Sequence, residues 1–139
     1  MHVVWFKRDL RIHDHWPLVK ASKSGPCLCL YVYEPELIHS EEFDTSHLQF
    51  INDSLKELDR RLRDLGGRMT LRVGAMPEVL ADLHRRHGVT AIWSHEETGN
   101  RITYQRDQRV ARWAKEHQIP WNEISQNGVV RRLPSRDGW

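Results

Sequence analysis

Glycine is scarce at the start of this 139-residue chain: of eight in all, the first is Gly25. A dinucleotide-binding fingerprint needs closely spaced glycines directly after the first strand, and a P-loop needs its own glycine-rich turn ending in Lys-Ser or Lys-Thr; neither is present. Cysteine is scarcer still. Cys27 and Cys29 are the only two, and on a strand they share a face with too little chain between them for an ordinary disulfide. A reducing, cytoplasmic compartment is the expectation. No apolar run has signal-peptide or transmembrane length, so a soluble protein with no membrane role is expected. Charge of one sign is lacking too: 21 basic and 19 acidic residues leave a formal +2, which by itself points to neither nucleic acid nor a lipid surface. The nine histidines lack metal-ligand spacing. His84 and His87 bracket "HRRH" without the carboxylate of a zincin, and surface imidazoles are expected. Ser94, Ser125 and Cys27 have no nucleophile-elbow context, so nucleophilic catalysis has no support.

What the chain does have is a core. Apolar residues make up 39% and charged residues 29%, with six tryptophans, the composition of one globular domain with large anchors. Two hydrophobic periodicities alternate along it. Short β-rich runs lie at 2–6, 27–33, 69–73, 89–94 and 120–124, with helical patterns between them near 15–23, 44–65, 77–88 and 101–117. Leu48, Ile51, Leu55, Leu58, Leu62 and Leu65 recur at steps of three and four and predict a helix with one buried face. Asp44, Thr45 or Ser46 can cap its start, and Gly66 and Gly67 can end it. Pro77 suits the first turn of the next helix and Gly88 its end. Strands separated by helices imply right-handed βαβ crossovers. The expected fold is therefore a three-layer α/β/α, doubly wound, Rossmann-like sheet of five parallel strands in order 3-2-1-4-5.

In such a sheet, ligands bind beyond the carboxyl ends of the strands where the strand order reverses, here between the first and fourth strands. "KRDLR" at 7–11 and "SHEETGN" at 94–100 become the two lips of a crevice. Arg8, Asp9 and Arg11 read equally well as an ion-pair lattice rimming the sheet or as part of a site. Glu96 and Glu97, adjacent on extended chain, point to opposite faces and cannot form a facing acid–base dyad. Of the tryptophans, Trp5, Trp93 and Trp121 are expected in the core, and Trp16, Trp113 and Trp139 partly exposed.

The stretch "VVWFKRDLRIHD" at 3–14 resembles the first strand and following loop of the photolyase/cryptochrome family. Further segments resemble that family in the same order: "LYVYEPEL" at 30–37, "SHLQFINDSLKELDRRLRDLG" at 46–66, "LRVG" at 71–74 and "TYQRDQRV" at 103–110. "QNGVVRRLPSRDGW" at 126–139 resembles the start of the family's interdomain connection. Two residues depart from the usual pattern, Lys7 in place of Arg and His15 in place of Asn.

The resemblance implies an antenna-chromophore-binding α/β domain over 1–125 and the start of a linker over 126–139. The FAD-carrying helical domain, which holds the repair pocket and the tryptophan electron chain, is absent from this chain. The parent would be a light-driven DNA repair enzyme of the deoxyribodipyrimidine photolyase type, a carbon–carbon lyase, with this piece inactive alone. The same domain from a cryptochrome photoreceptor is the first alternative, and a free-standing nucleotide-binding module of the universal-stress type, recognisable by ATP binding, is the second. Carried over residue by residue, the family places Phe6, Arg8, Asp9, Leu10, Arg11, Tyr33, Glu34, Glu96, Arg106 and Asp107 around the antenna, beside Trp5. The chromophore would be a flavin, a deazaflavin or methenyltetrahydrofolate, although the Asn-Glu pair of folate-binding members is missing between Glu97 and Arg106. The implied partner is the missing helical domain, with DNA reached only through it. An apolar interdomain face would favour self-association, and Arg131, Arg132 and Arg136 are read as a linker docking on its own protein rather than as a DNA contact.

Overall fold

The computed structural model describes residues 1–39, 45–97, 99–125 and 130–132. Five parallel strands, β1 (His2–Phe6), β2 (Cys27–Tyr33), β3 (Met69–Val73), β4 (Ala91–His95) and β5 (Trp121–Ile124), stand in the order β3-β2-β1-β4-β5. This is the sheet expected from the alternation of periodicities, with one addition. A sixth strand, β6 (Val130–Arg132), pairs antiparallel with β5. It falls in the stretch read as linker, where three residues are too few for a periodicity to register. The rest of that stretch, including Arg136 and Trp139, lies outside the described residues, as do Asp44 and Thr98 and the side chains of Thr45, Arg131 and Arg132.

The helices are α1 (Trp16–Ser24), a single turn α2 (Pro35–Ile38), α3 (Thr45–Asp64), α4 (Met76–His87) and α5 (Arg101–Glu116). β1 is central, so helices cover both of its faces and the run Val3, Val4, Trp5, Phe6 is at most 1% exposed. Val3 and Trp5 pack with Leu80 and Leu83 of α4 and Val110 and Trp113 of α5. Val4 and Phe6, pointing the other way, pack with Ala21 of α1 and Leu55, Leu58 and Leu62 of α3. Trp113 is therefore a core residue, only 8% exposed and stacked on His117 with ring centroids 4.4 Å apart, not the partly exposed residue expected. Trp16 is 39% exposed.

The leucine stripe of α3 stops one residue short of its sequence pattern. The Gly67 amide donates to the Leu62 carbonyl at 2.8 Å and Gly66 to Arg63 at 3.1 Å, closing the helix with Gly66 at φ +89° and leaving Leu65 exposed. α4 ends at Gly88, φ +69°, where an added Cβ would meet nothing within 4 Å. The cost of Gly88→Ala is then purely conformational. Chemical denaturation should show a loss of about 1 kcal/mol, and an unchanged midpoint would mean the turn relaxes out of the left-handed region.

Candidate functional site

A cleft of about 460 Å³ opens where β1 and β2 end and is closed on its other sides by α2, α3 and α5. Its place follows from the winding of the sheet: the connection out of β1 runs one way to β2, the connection out of β3 crosses back to β4 on the other side of β1, and the crevice where the strand order reverses is left uncovered. The apolar lining comes from Trp5, Phe6, Tyr31, Leu37, Ile38, Phe50 and Ile51, and polar groups from Arg8, Glu34, His47, Glu97, Asn100 and Arg106. Phe50 is 70% exposed, a large apolar ring at the mouth with little protein against it.

Beneath the polar side lies a buried ion network. Arg106, held by α5, donates from Nη1 to Glu34 at 2.5 Å, from Nη2 to Glu97 and from Nε to Asp107 at 2.8 Å. Its guanidinium carbon lies 4.7 Å from the Trp5 ring centroid. Lys7 brings its ammonium 3.9 Å from Glu97 and 3.8 Å from Asp107, and Arg8, largely exposed, reaches Glu97 at 3.4 Å. Burial pushes the Glu34 carboxyl up to about 7, against the pull of Arg106 and with the repulsion of Glu97 and Asp107. Lys7, Arg8 and Arg106 thus face three carboxylates, one of which is half-protonated near neutrality.

A second cluster holds the loop after β1. Asp9 accepts from His15 Nε2 and His95 Nδ1, both at 2.6 Å, on one oxygen, and from the Lys7 amide at 2.7 Å on the other. Burial alone would raise the Asp9 carboxyl; the hydrogen bonds from both imidazoles, the positive charge His15 carries when protonated and the Lys7 amide outweigh it and hold the group far below the usual carboxylate range. Burial lowers His15, which caps α1 by accepting the Leu18 amide on Nδ1. These three side chains bring ligand-type atoms within 4.8 Å of one another. The tautomer argues against a metal: with Nδ1 accepting, the one proton of neutral His15 sits on Nε2, the atom that would have to ligate.

The structure gathers only part of the sequence-derived site. Phe6, Arg8, Leu10, Glu34 and Arg106 line the cleft. Asp107 stands behind it, bonded to Arg106. Asp9 is turned into its histidine cluster, and Arg11 donates to the His13 carbonyl. Tyr33 donates its hydroxyl to Asn52 on α3, and Glu96 is exposed while its neighbour Glu97 faces inward. Two expectations need correction. Arg8, Asp9 and Arg11 form no mutual ion-pair lattice, because Asp9 is buried against imidazoles and Arg8 pairs across the crevice. His15 and His95 are buried, not surface imidazoles, since a carboxylate fixed by two imidazoles and an amide can be taken out of water at little cost. Lys7 and Asn100 lie within the two stretches expected as lips of the crevice and do line the cleft, whereas Tyr31 and Phe50 carry no signal in the sequence as lining groups; the start of α3 comes over the strand ends only through long-range packing.

A family model described as DNA photolyase matches residues 2–133. The chain is 31% identical over 116 residues to cryptochrome DASH of Gloeobacter violaceus, covering 78% of this chain and 23% of that protein. Among solved structures, a cryptochrome from Synechocystis superposes with a TM-score of 0.82 at 22% identity, covering 90% of this chain and 27% of the other. An archaeal photolyase from Sulfolobus tokodaii, described as holding two FAD molecules and implying a novel light-harvesting cofactor, superposes at 0.78 with 24% identity, over 90% of this chain and 29% of that one. The chain spans less than a third of each of these proteins.

Proposed function

This chain belongs to the DNA photolyase family, as a photolyase/cryptochrome-type N-terminal α/β domain, and on that premise we propose that its cleft holds a light-harvesting chromophore. The observation that carries the reading is the cleft itself: about 460 Å³ at the strand ends, lined by both aromatic and hydrogen-bonding side chains. Ligand sites span about 300–1,000 Å³, and a flat tricyclic ring of flavin or deazaflavin type fits a cleft of that size and mixed lining. Tyr31, Phe50 and Ile51 offer apolar surface to its rings above the buried Trp5 and Phe6, while Arg8, Asn100 and Glu34 offer partners for the carbonyl and N–H groups of its edge. Such a chromophore, when bound, absorbs near-ultraviolet or blue light and passes the excitation through space. The protein's own residues then need only bind the ring, fix its orientation and exclude water. No proton has to move in that transfer.

The recipient of the excitation would be FAD in a helical domain of the parent protein, which would also carry any DNA contact. Repair or photoreception would be decided there. Equilibrium dialysis of this chain against FMN, FAD, a deazaflavin and methenyltetrahydrofolate tests the chromophore reading. Binding of a flavin-type ring with Kd in the region of about 1 μM is the expected result, and the folate should bind more weakly. Retention of none of the four, or tight ATP binding in their place, would overturn it.

A further inference from the structure

The Lys7 ammonium is an oddity that ligand binding does not explain. Its nitrogen is buried and has no hydrogen-bond partner. Both nearby carboxylates stand at 3.8–3.9 Å, too far for a hydrogen bond. Because the nitrogen has no solvent-accessible surface, a ligand acceptor in the cleft cannot reach it as it stands. What it does approach is the Trp5 ring, 4.3 Å to the centroid, with Trp121 at 5.5 Å. The Arg106 guanidinium lies 4.7 Å from the same Trp5 centroid. One indole, itself part of the cleft wall, is therefore flanked by two buried cations.

Indole is the side chain most ready to give an electron to an excited flavin, and an electron-rich ring buried just behind the cleft wall is near enough to an antenna there to drain it. The two cations oppose the change at close range, because removing an electron from Trp5 would place a third positive charge beside them, and they offset the carboxylates of Glu34, Glu97 and Asp107, which would otherwise favour it. Resting on the chromophore reading above, we propose that Lys7 and Arg106 raise the oxidation potential of Trp5 so that this wall of the cleft does not quench the excitation it holds. The step suppressed is simple in its balance. One electron leaves the indole, which becomes a radical cation, for the excited ring beside it, and then returns, the excitation being lost as heat; no bond breaks and no further reactant takes part. This gives a purpose to an ammonium that is ion-paired at 3.8–3.9 Å yet makes no hydrogen bond: it sits against the ring.

Two measurements test this on the whole chain. Film voltammetry of chromophore-free protein, with the Trp5 wave identified by its loss in Trp5→Phe, should show that wave at lower potential in Lys7→Met and little moved in Lys7→Arg. Time-resolved fluorescence of bound FMN should show a lifetime shortened by about twofold or more in Lys7→Met, restored in the Lys7→Met, Trp5→Phe double variant and kept in Lys7→Arg. Lifetimes are read on the bound fraction and do not depend on occupancy. Lys7→Gln replaces Lys7→Met if circular dichroism shows that the latter has not folded. An unmoved Trp5 wave overturns the proposal whether or not FMN binds, and a moved wave with an unchanged lifetime overturns it as well. Failure of the native chain to bind FMN defeats the chromophore reading and the purpose assigned to the cations, while the voltammetry independently decides whether they tune Trp5.

Discussion

Replacing Arg106 by methionine is expected to cost the fold about 3–5 kcal/mol near neutral pH. Arg106 is 4% exposed and donates to Glu34, Glu97 and Asp107 at once. Methionine fills much of the same volume but leaves three carboxylates facing one another with only Lys7 and the exposed Arg8 nearby. The penalty is that of stranded charge, so it should shrink as those charges are neutralised. Glu34 makes the sign explicit. Its folded-state value, about 7, lies above the ordinary 4.5, so the folded protein takes up this proton first and gains stability as pH falls from about 7 toward the ordinary value. Losing Arg106 removes the pull that opposes this rise and widens the window. Urea unfolding at about pH 8 and about pH 5 should find the larger deficit at the higher pH. A deficit below about 1 kcal/mol at pH 8 would mean that the network relaxes into solvent, and an equal deficit at both would show that volume, not charge, sets the cost.

Asp9→Asn should be nearly as damaging, by about 2–4 kcal/mol, through a different route. Asp9 accepts on both oxygens: two imidazole donors on one and the Lys7 amide on the other. Asparagine has one oxygen, so whichever way it turns its NH₂ faces a donor inside the protein. His15 would also loosen as the cap of α1, where it accepts the Leu18 amide. The linkage runs opposite to that of Glu34. The Asp9 carboxyl is held below its ordinary value of 3.8, so its contribution is fully present above that value and is lost as pH falls through and below it. Glu34 thus adds stability on mild acidification and Asp9 removes it further down, while His15, lowered by burial, opposes the Glu34 gain as pH falls below its ordinary value of 6.5. In Asp9→Asn the acid limb should flatten while the Glu34 limb persists. A steep acid limb in the variant would place that linkage elsewhere, and unchanged stability at neutral pH would show that water can replace the carboxylate.

Most of the architecture is legible in the sequence itself. The buried run of β1, the stripe of α3 through Leu62 and the punctuation at Gly66, Pro77 and Gly88 each carry a local signal. Alternation of strand and helix leaves few ways to wind a sheet. Leu65 and Trp113 were misplaced because a periodic pattern does not say where a helix stops or how tightly its neighbour packs. β6 is too short to leave a pattern at all. The site was half legible. Glu34 and Arg106 were singled out through family resemblance and do meet, but nothing local says that residues 72 apart in sequence share a hydrogen bond. The same holds for His95 and Asp9, 86 apart.

The sequence by itself determined the class of fold, its strand order and where the crevice must open, because periodicity, glycine and proline act within a few residues and chirality restricts the rest. Only the tertiary structure decided what the charges of "KRDLR" are for. Lys7 is carried over Trp5, Arg8 across to Glu97, and Asp9 inward between two histidines. Those partners come from β1 itself, from β4 and its following loop, and from the N-cap of α1. The physical reason is that a charge takes its role from whatever compensates its burial, and that partner can lie anywhere in the chain.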